Sequence, residues 1–178
     1  MHHTSTARAA AQPDRRSAVF ALALALAAFA ADATGAALTS GNAPDFTLRS
    51  AAGGNLRLAE QRGQVVMINF WATWCGPCKQ ELPHLARLYD KYRSAGFVLL
   101  GVSVDDDPKA AQALAERMGL EFPVLFDTDK SVSRLYALDS MPSSVLIDRD
   151  GKLRHLHRGY RDGVEQLYER QVRDLVKE

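Results

Sequence analysis

Two cysteines are the residues best placed to do chemistry, because only two residues separate them. Cys75 and Cys78 flank a Gly-Pro dipeptide, directly after an apolar run at 65–72 and directly before a helical pattern. A C-x-x-C pair between a buried strand and a helix is typical of a redox-active dithiol. Unpaired N–H groups and the helix dipole stabilise a thiolate in the first turn, so Cys75 is the predicted nucleophile. Cys78 lies deeper in the helix and is predicted to resolve the mixed disulfide.

A structural disulfide or a metal site would use the same two cysteines. A disulfide closing so small a loop constrains the unfolded chain little, which disfavours a purely structural bond. None of His84, His155 and His157 has the spacing of a zinc pair with the cysteines. We predict His84 on a helix surface and His155 and His157 on a solvated strand face, while Cu(I) binding by the thiolates stays open. The predicted site has no metal, and no cofactor beyond a redox-active Cys75–Cys78 disulfide.

Glu81 lies three positions after Cys78 on the same predicted helix. Side chains three residues apart share a helix face, so its carboxyl could approach the thiol of Cys78. A partly buried carboxyl with a raised pKa could then take up the proton of Cys78 during resolution. The residues alone favour a surface glutamate in the first turns of a helix.

Composition and charge exclude several classes of protein. The chain has 178 residues, 22 Lys and Arg against 21 Asp and Glu, and a net charge of +1. Nucleic-acid binding is disfavoured, because it needs a concentrated basic patch. Two cysteines are too few for a scaffold of several disulfides or a four-cysteine zinc site.

The first 33 residues read as a targeting segment. Arg15 and Arg16 precede an apolar run of about 14 residues at 18–31, which is short for a membrane-spanning helix. A signal peptide is favoured over an uncleaved membrane anchor, so association of the N-terminus with a membrane stays open. Residues 34–42 read as a flexible lead-in and 43–178 as one domain. The predicted location is periplasmic or otherwise extracytoplasmic, where the surroundings oxidise thiols.

Hydrophobic patterning after residue 42 predicts alternating strands and helices. Strands are predicted at 46–48, 55–58, 65–72, 97–104, 145–147 and 153–157. Helices are predicted at 79–95, 108–118, 130–138 and 164–176, with a kink at Pro83 and a short apolar piece at 123–126. This order predicts an α/β fold, a mixed central β-sheet flanked by helices.

The segment at 70–79, FWATWCGPCK, resembles the active-site segment of the thioredoxin superfamily. The opening APDFTL at 43–48, the hairpin that follows and the C-x-x-C-x-x-E pattern resemble the exported TlpA/ResA/CcmG-type thiol–disulfide oxidoreductases. The resemblance runs from about residue 42 to the C-terminus. It implies a thioredoxin fold with an N-terminal β-hairpin and a central strand–helix insertion, to which residues 108–118 would belong.

The resemblance also implies roles for individual residues. Cys75 would be the nucleophile and Cys78 the resolving thiol. Glu81 matches the acid of the C-x-x-C-x-x-E pattern, which favours the proton-handling role over the surface one. Cytosolic thioredoxins carry a buried Asp six residues before the first cysteine. Asn69 stands there in this chain and cannot titrate, which supports Glu81 as the substitute acid.

The substrate side of the site follows from the same resemblance. From the residues alone, Pro142 is either a trans residue at a strand edge or a cis turn. The resemblance matches it to the cis-proline that faces the active site. Met141 would present backbone groups to an extended substrate strand, and Trp74 and Pro77 would form an apolar rim.

The resemblance implies a reductase of specific client disulfides, on apocytochromes c or copper-site assembly proteins. A membrane thiol donor of the DsbD or CcdA type would supply its electrons. The Gly-Pro dipeptide is that of thioredoxin and favours a low reduction potential. The alternative is a general oxidant of exported proteins. A thiol peroxidase is disfavoured, because Ile68 and Ala72 stand at the Pro and Thr positions of P-x-x-x-T-x-x-C. A copper chaperone would want a C-x-x-x-C pair.

Overall fold

The computed structural model describes residues 41–178. The predicted targeting segment at 1–33 and nearly all of the lead-in at 34–42 lie outside the described residues. Between residues 41 and 178, no helix combines the length and apolar character needed to cross a bilayer.

A seven-stranded mixed sheet forms the centre of the fold, in the order β2-β1-β5-β4-β3-β6-β7. β3 runs parallel to β4, and β4 runs parallel to β5, while the remaining neighbours are antiparallel. The strands are β1 (Thr47–Ser50), β2 (Asn55–Arg57), β3 (Val65–Trp71), β4 (Phe97–Ser103), β5 (Val124–Phe126), β6 (Ser143–Ile147) and β7 (Leu153–Arg158).

Within residues 41–178, four α-helices flank this sheet, as the patterning predicted. They are α1 (Gly76–Tyr92), α2 (Pro108–Arg117), α3 (Ser131–Leu135) and α4 (Val164–Val176), with 3₁₀ turns at Leu58–Gln61 and Arg93–Ala95. α1 packs against α4 and β4, and α4 also contacts β3. These contacts bring the C-terminal helix next to the helix that carries the cysteines.

Several element boundaries differ from the sequence prediction by one to three residues, and the start of α1 is the one next to the cysteines. α1 begins at Gly76 rather than at residue 79, because Pro77 is tolerated in a first turn whose N–H groups have no partners. The helix continues through Pro83 to Tyr92. The short apolar piece at 123–126 is the strand β5, which pairs with both β4 and β1. α2 and β5 together form the central insertion implied by the resemblance.

β3 positions the cysteines because it is buried along its whole length. All seven of its residues are buried in the centre of the sheet between β4 and β6, which explains a sequence that is apolar except for Asn69. The carboxyl end of β3 leads through three residues, 72–74, to Cys75. β6 begins beside that same end, where Ser143 pairs with Phe70. The cysteine pair and the Met141-Pro142 segment therefore meet at one edge of the sheet.

Candidate active site

Cys75 and Cys78 form a disulfide in the first turn of α1. Cys75 is the N-cap residue, and its Sγ accepts a hydrogen bond from the backbone N–H of Cys78 at 3.2 Å. Cys75 is 5% exposed and Cys78 fully buried, while Gly76 and Pro77 are exposed. Of the two sulfur-bearing residues, Cys75 is therefore the one a partner can approach, in keeping with its predicted role as nucleophile.

A buried carboxylate fixes the loop that leads into the cysteines. Asp105 is 5% exposed and follows the end of β4. Its oxygens accept hydrogen bonds from the backbone N–H of Thr73 at 2.9 and 3.1 Å and from the Thr73 hydroxyl at 2.6 Å. The hydroxyl of Ser103 donates a further bond at 2.9 Å. Asp105 thus ties the segment before Cys75 to the neighbouring strand.

Replacing Asp105 with alanine should destabilise the protein by about 2–4 kcal/mol, because three donors, two on half-buried Thr73 and one on buried Ser103, lose their acceptor. The neighbouring Asp106→Ala is the matched control. Asp106 is 95% exposed and pairs only with Lys130, so its loss should change the free energy of unfolding by less than about 0.5 kcal/mol. Urea unfolding of both variants measures the difference. Equal losses in the two variants would refute the role given to Asp105.

Glu81 is a buried residue of α1, only 1% exposed, so the interpretation as a surface glutamate is wrong. Its Oε2 accepts a hydrogen bond from Asn69 Nδ2 at 2.7 Å, and its Oε1 accepts one from the Tyr168 hydroxyl at 2.8 Å. Burial raises the pKa of Glu81 to about 7, against the opposing effect of the two hydrogen bonds. The side chain can therefore gain and lose a proton near neutral pH, one turn from Cys78.

The partners of Glu81 come from three separate elements. Asn69 on β3 also donates from Nδ2 to the Ser144 hydroxyl on β6 at 2.9 Å, and its Oδ1 has no partner within residues 41–178. Tyr168 on α4 is 2% exposed. Burial and the nearby Glu81 raise the pKa of the Tyr168 hydroxyl well above its usual value, so it stays protonated. Sequence patterning predicted the helix at 164–176 that contains Tyr168 but no role for this residue, and it gave no signal for Ser144.

The residues predicted on the substrate side lie around the same sheet edge. The Met141–Pro142 peptide bond is cis, as the resemblance implied. Pro142 is buried, and its carbonyl accepts a hydrogen bond from Gly159 N–H at 2.8 Å, while Met141 is half-buried. Trp74 is 68% exposed and Pro77 is exposed. The two predicted rim residues thus present an apolar surface to solvent beside Cys75.

The prediction of a solvated face for the two strand histidines is wrong for His157. His157 is half-buried, its ring packs edge-on against Tyr168 with 4.8 Å between centroids, and burial lowers its pKa. His155 is also half-buried, while His84 lies on α1 beside Arg87 at 2.8 Å. Across residues 41–178, no group of three or more His, Cys, Asp or Glu side chains is placed to hold a metal ion.

Comparison of the sequence with known families matches residues 40–156 to the AhpC/TSA family. The thiol-disulfide oxidoreductase ResA of Geobacillus thermodenitrificans is 38% identical over 117 residues, which cover 66% of this chain and 67% of that protein. The protein of the same name from Bacillus subtilis strain 168 is 36% identical over 112 residues, covering 63% of each chain.

Solved structures with the same fold carry related names. A Chlorobium tepidum protein assigned as the thiol:disulfide interchange protein DsbE superposes with a TM-score of 0.74 and 36% identity, covering 77% of this chain and 96% of that one. A Bacteroides thetaiotaomicron protein assigned as a protein disulfide isomerase has a TM-score of 0.72 and 31% identity, covering 77% and 89%. Both likenesses include the region that contains the disulfide.

Proposed function

The chain belongs to the AhpC/TSA family and is a thioredoxin-like thiol–disulfide oxidoreductase, and from that premise we propose that it is an exported reductase of specific client disulfides. The observation that carries the proposal is a cysteine pair in the first turn of α1 with a buried carboxyl one turn away. The dithiol is the only redox group that the proposed reaction needs.

The proposed reaction moves two electrons from the protein to the client. The thiolate of Cys75 attacks one sulfur of the client disulfide, and the departing client thiolate takes up a proton from water. Cys78 then loses its proton to Glu81 and attacks Cys75 Sγ. This step releases the second client sulfur as a thiolate, which is protonated in turn. The client becomes a dithiol, and the Cys75–Cys78 bond forms.

The surroundings of the sulfurs favour a low reduction potential. Strong oxidants owe their potential to a stabilised thiolate in the reduced form. Within the described part of the chain, the donor that reaches Cys75 Sγ is a single backbone N–H, that of Cys78. Cys78 is fully buried near a carboxyl, so its thiolate is costly to form. The Gly-Pro dipeptide between the cysteines points to the same conclusion.

Clients would bind along the sheet edge beside the disulfide. Trp74 and Pro77 offer an apolar surface, and Met141 would offer backbone groups to an extended strand of the client. Pro142 would face the reacting sulfurs from the start of β6. Apocytochromes c or copper-site assembly proteins are the proposed clients.

Return to the reduced form requires a source of electrons. A membrane thiol donor of the DsbD or CcdA type would attack Cys75 Sγ, and Cys78 would leave as a thiolate that takes its proton from Glu81. The apolar run after Arg15 and Arg16 supports export to a compartment where such a donor operates.

A thiol peroxidase is the weaker alternative within this family. Peroxidatic cysteines use a threonine hydroxyl and a proline at fixed positions before the cysteine. Ala72 and Ile68 stand at those positions, and both are fully buried apolar residues.

Measurement of the reduction potential tests the direction of electron flow. The full chain is equilibrated in dithiothreitol buffers, and the reduced fraction is read by thiol alkylation. We expect a value near that of thioredoxin, about −270 mV. A value near the strong oxidants, about −120 mV, would overturn the reductase and favour a general oxidant of exported proteins.

A further inference from the structure

Tyr168 is a buried hydroxyl that the exchange reaction itself does not use. It comes from the C-terminal helix, 87 residues after Glu81, and its hydroxyl donates to Glu81 Oε1 at 2.8 Å. A buried tyrosine hydroxyl usually has a hydrogen-bond partner. Here that partner is a carboxyl that changes its protonation state. A residue that pairs with such a carboxyl in both states must donate to the carboxylate and accept from the carboxylic acid.

Asn69, the other partner of Glu81, meets only half of that demand. Its Nδ2 group can donate to the ionised carboxylate but cannot accept a hydrogen bond from the protonated acid. The Tyr168 hydroxyl can do both, provided that its own hydrogen finds another acceptor when it turns. The Ser144 hydroxyl is buried and accepts from Asn69 Nδ2 at 2.9 Å, so Asn69 links Ser144 to the carboxyl that Tyr168 contacts.

Building on the proposed function, we propose that Tyr168 and Ser144 are positioning residues that turn their hydroxyl hydrogens together, so that Glu81 can both hold and release a proton. With Glu81 ionised, Tyr168 donates to it. With Glu81 protonated, the acid donates to Tyr168, and Tyr168 donates to Ser144. Neither state leaves Glu81 or Tyr168 without a partner, which matters because an unpaired buried polar group is costly.

Other titratable groups lie near Glu81, Tyr168 and Ser144 but take no part in the proposed hydrogen bonds. Tyr160 lies near enough to Glu81 for the carboxylate to contribute to the raised pKa of its phenol, after burial and two nearby acidic residues. His157 packs on the outer side of Tyr168, and His84 lies 6.1 Å from Tyr160 between ring centroids. Cys78 is three residues away on the same helix. Burial raises the pKa of Glu81, and the hydrogen bonds from Tyr168 and Asn69 oppose that rise, with no contribution from a charged side chain.

We call the paired turning of the Tyr168 and Ser144 hydroxyls the relay. Direct titration of Glu81 in the Tyr168→Phe variant tests its first half, the hydrogen bond from Tyr168 to the ionised carboxylate. Carboxyl ¹³C resonances of the oxidised full chain, labelled at glutamate, are followed between about pH 4 and pH 10. Loss of a donor to the carboxylate should raise the pKa of Glu81 by about one to two units. Tyr92→Phe is the matched control, because the Tyr92 hydroxyl approaches another carboxylate, Glu169, at 3.4 Å. It should leave the pKa of Glu81 unchanged.

The Ser144→Ala variant should shift the same pKa in the opposite direction. Without Ser144, Tyr168 loses its proposed acceptor when Glu81 is protonated, so the pKa of Glu81 should fall by about half a unit to one unit. Simple loosening of the packing would admit water and lower the pKa in both variants. A rise in Tyr168→Phe with a fall in Ser144→Ala therefore supports the relay. An unchanged or lowered pKa in Tyr168→Phe overturns it.

The rate of reduction of the Cys75–Cys78 disulfide by dithiothreitol provides a second readout. Its pH midpoint should move in each variant in the direction of the Glu81 titration. A midpoint that stays fixed while the titration moves would overturn the link between Tyr168 and Cys78. The carboxyl titration requires no client and no particular reduction potential, so failure of the relay and failure of the reductase are distinguishable.

Discussion

Cys75→Ser should lower the rate of disulfide exchange by at least about 10³-fold, because a hydroxyl cannot replace the attacking thiolate. Of the two cysteines, Cys75 is the one with solvent exposure, at 5%, and it lies at the helix N-cap. Reduction of a disulfide-bonded peptide by the dithiothreitol-reduced chain, followed by mass spectrometry of the peptide, measures the loss.

Cys78→Ser separates the two cysteine roles. Cys75 can still attack in this variant, but no thiol remains to resolve the product, so a covalent adduct with the peptide should accumulate. Cys75→Ser should form little adduct, because Cys78 is fully buried. The double variant gives the background. Equal adduct formation by Cys75→Ser and Cys78→Ser would contradict the assignment of nucleophile and resolving thiol.

The sequence predicts local features of this site well. An apolar strand, a C-x-x-C pair and a following helix are all encoded within residues 65–92, so their order and contact follow from short-range patterning. The first turn of α1 is the exception, because Gly76 and Pro77 carry no apolar periodicity although the first turn of a helix tolerates both.

Site features that depend on contacts between segments far apart in the sequence cannot be predicted from local patterning. Glu81 looks like a surface residue until α4 covers it, and the hydrogen bond from Tyr168 crosses 87 residues of sequence. Asp105 and Asp127 lie outside the predicted strands and helices, yet both are buried acceptors. Asp127 accepts from the backbone N–H groups of Val132 at 3.0 Å and Ser133 at 2.8 Å, at the start of α3. The family resemblance supplied Glu81, but not the residues that bind it.

Glu81→Gln should make the protein more stable at alkaline pH. The folded protein holds the Glu81 proton up to about pH 7, whereas the ordinary value is 4.5. The folded state therefore binds more protons than the unfolded state between these two values. The free energy of unfolding should fall across this range as pH rises, relative to the variant. The gap of about 2.5 units corresponds to about 3 kcal/mol above pH 8.

Urea unfolding of the oxidised chain from about pH 4 to pH 9 measures this difference. Glu169→Gln is the matched control, because Glu169 is 43% exposed and pairs with Lys91 at the surface. Its removal should change the free energy of unfolding by less than about 1 kcal/mol, without the fall between pH 4.5 and 7. A Glu81→Gln curve parallel to that of the unaltered chain would contradict the raised pKa.

The same substitution should slow resolution by about 10²-fold, because glutamine cannot accept the proton of Cys78. Its amide can pair as the protonated acid does, accepting from Asn69 and donating to Tyr168, so the fold has no reason to change. Stability and rate should thus move in opposite directions in one variant. A carboxyl that only supported the fold would lose stability on substitution. A gain in the free energy of unfolding above pH 7, together with slower resolution, is the result expected of a carboxyl whose role is to exchange a proton with Cys78.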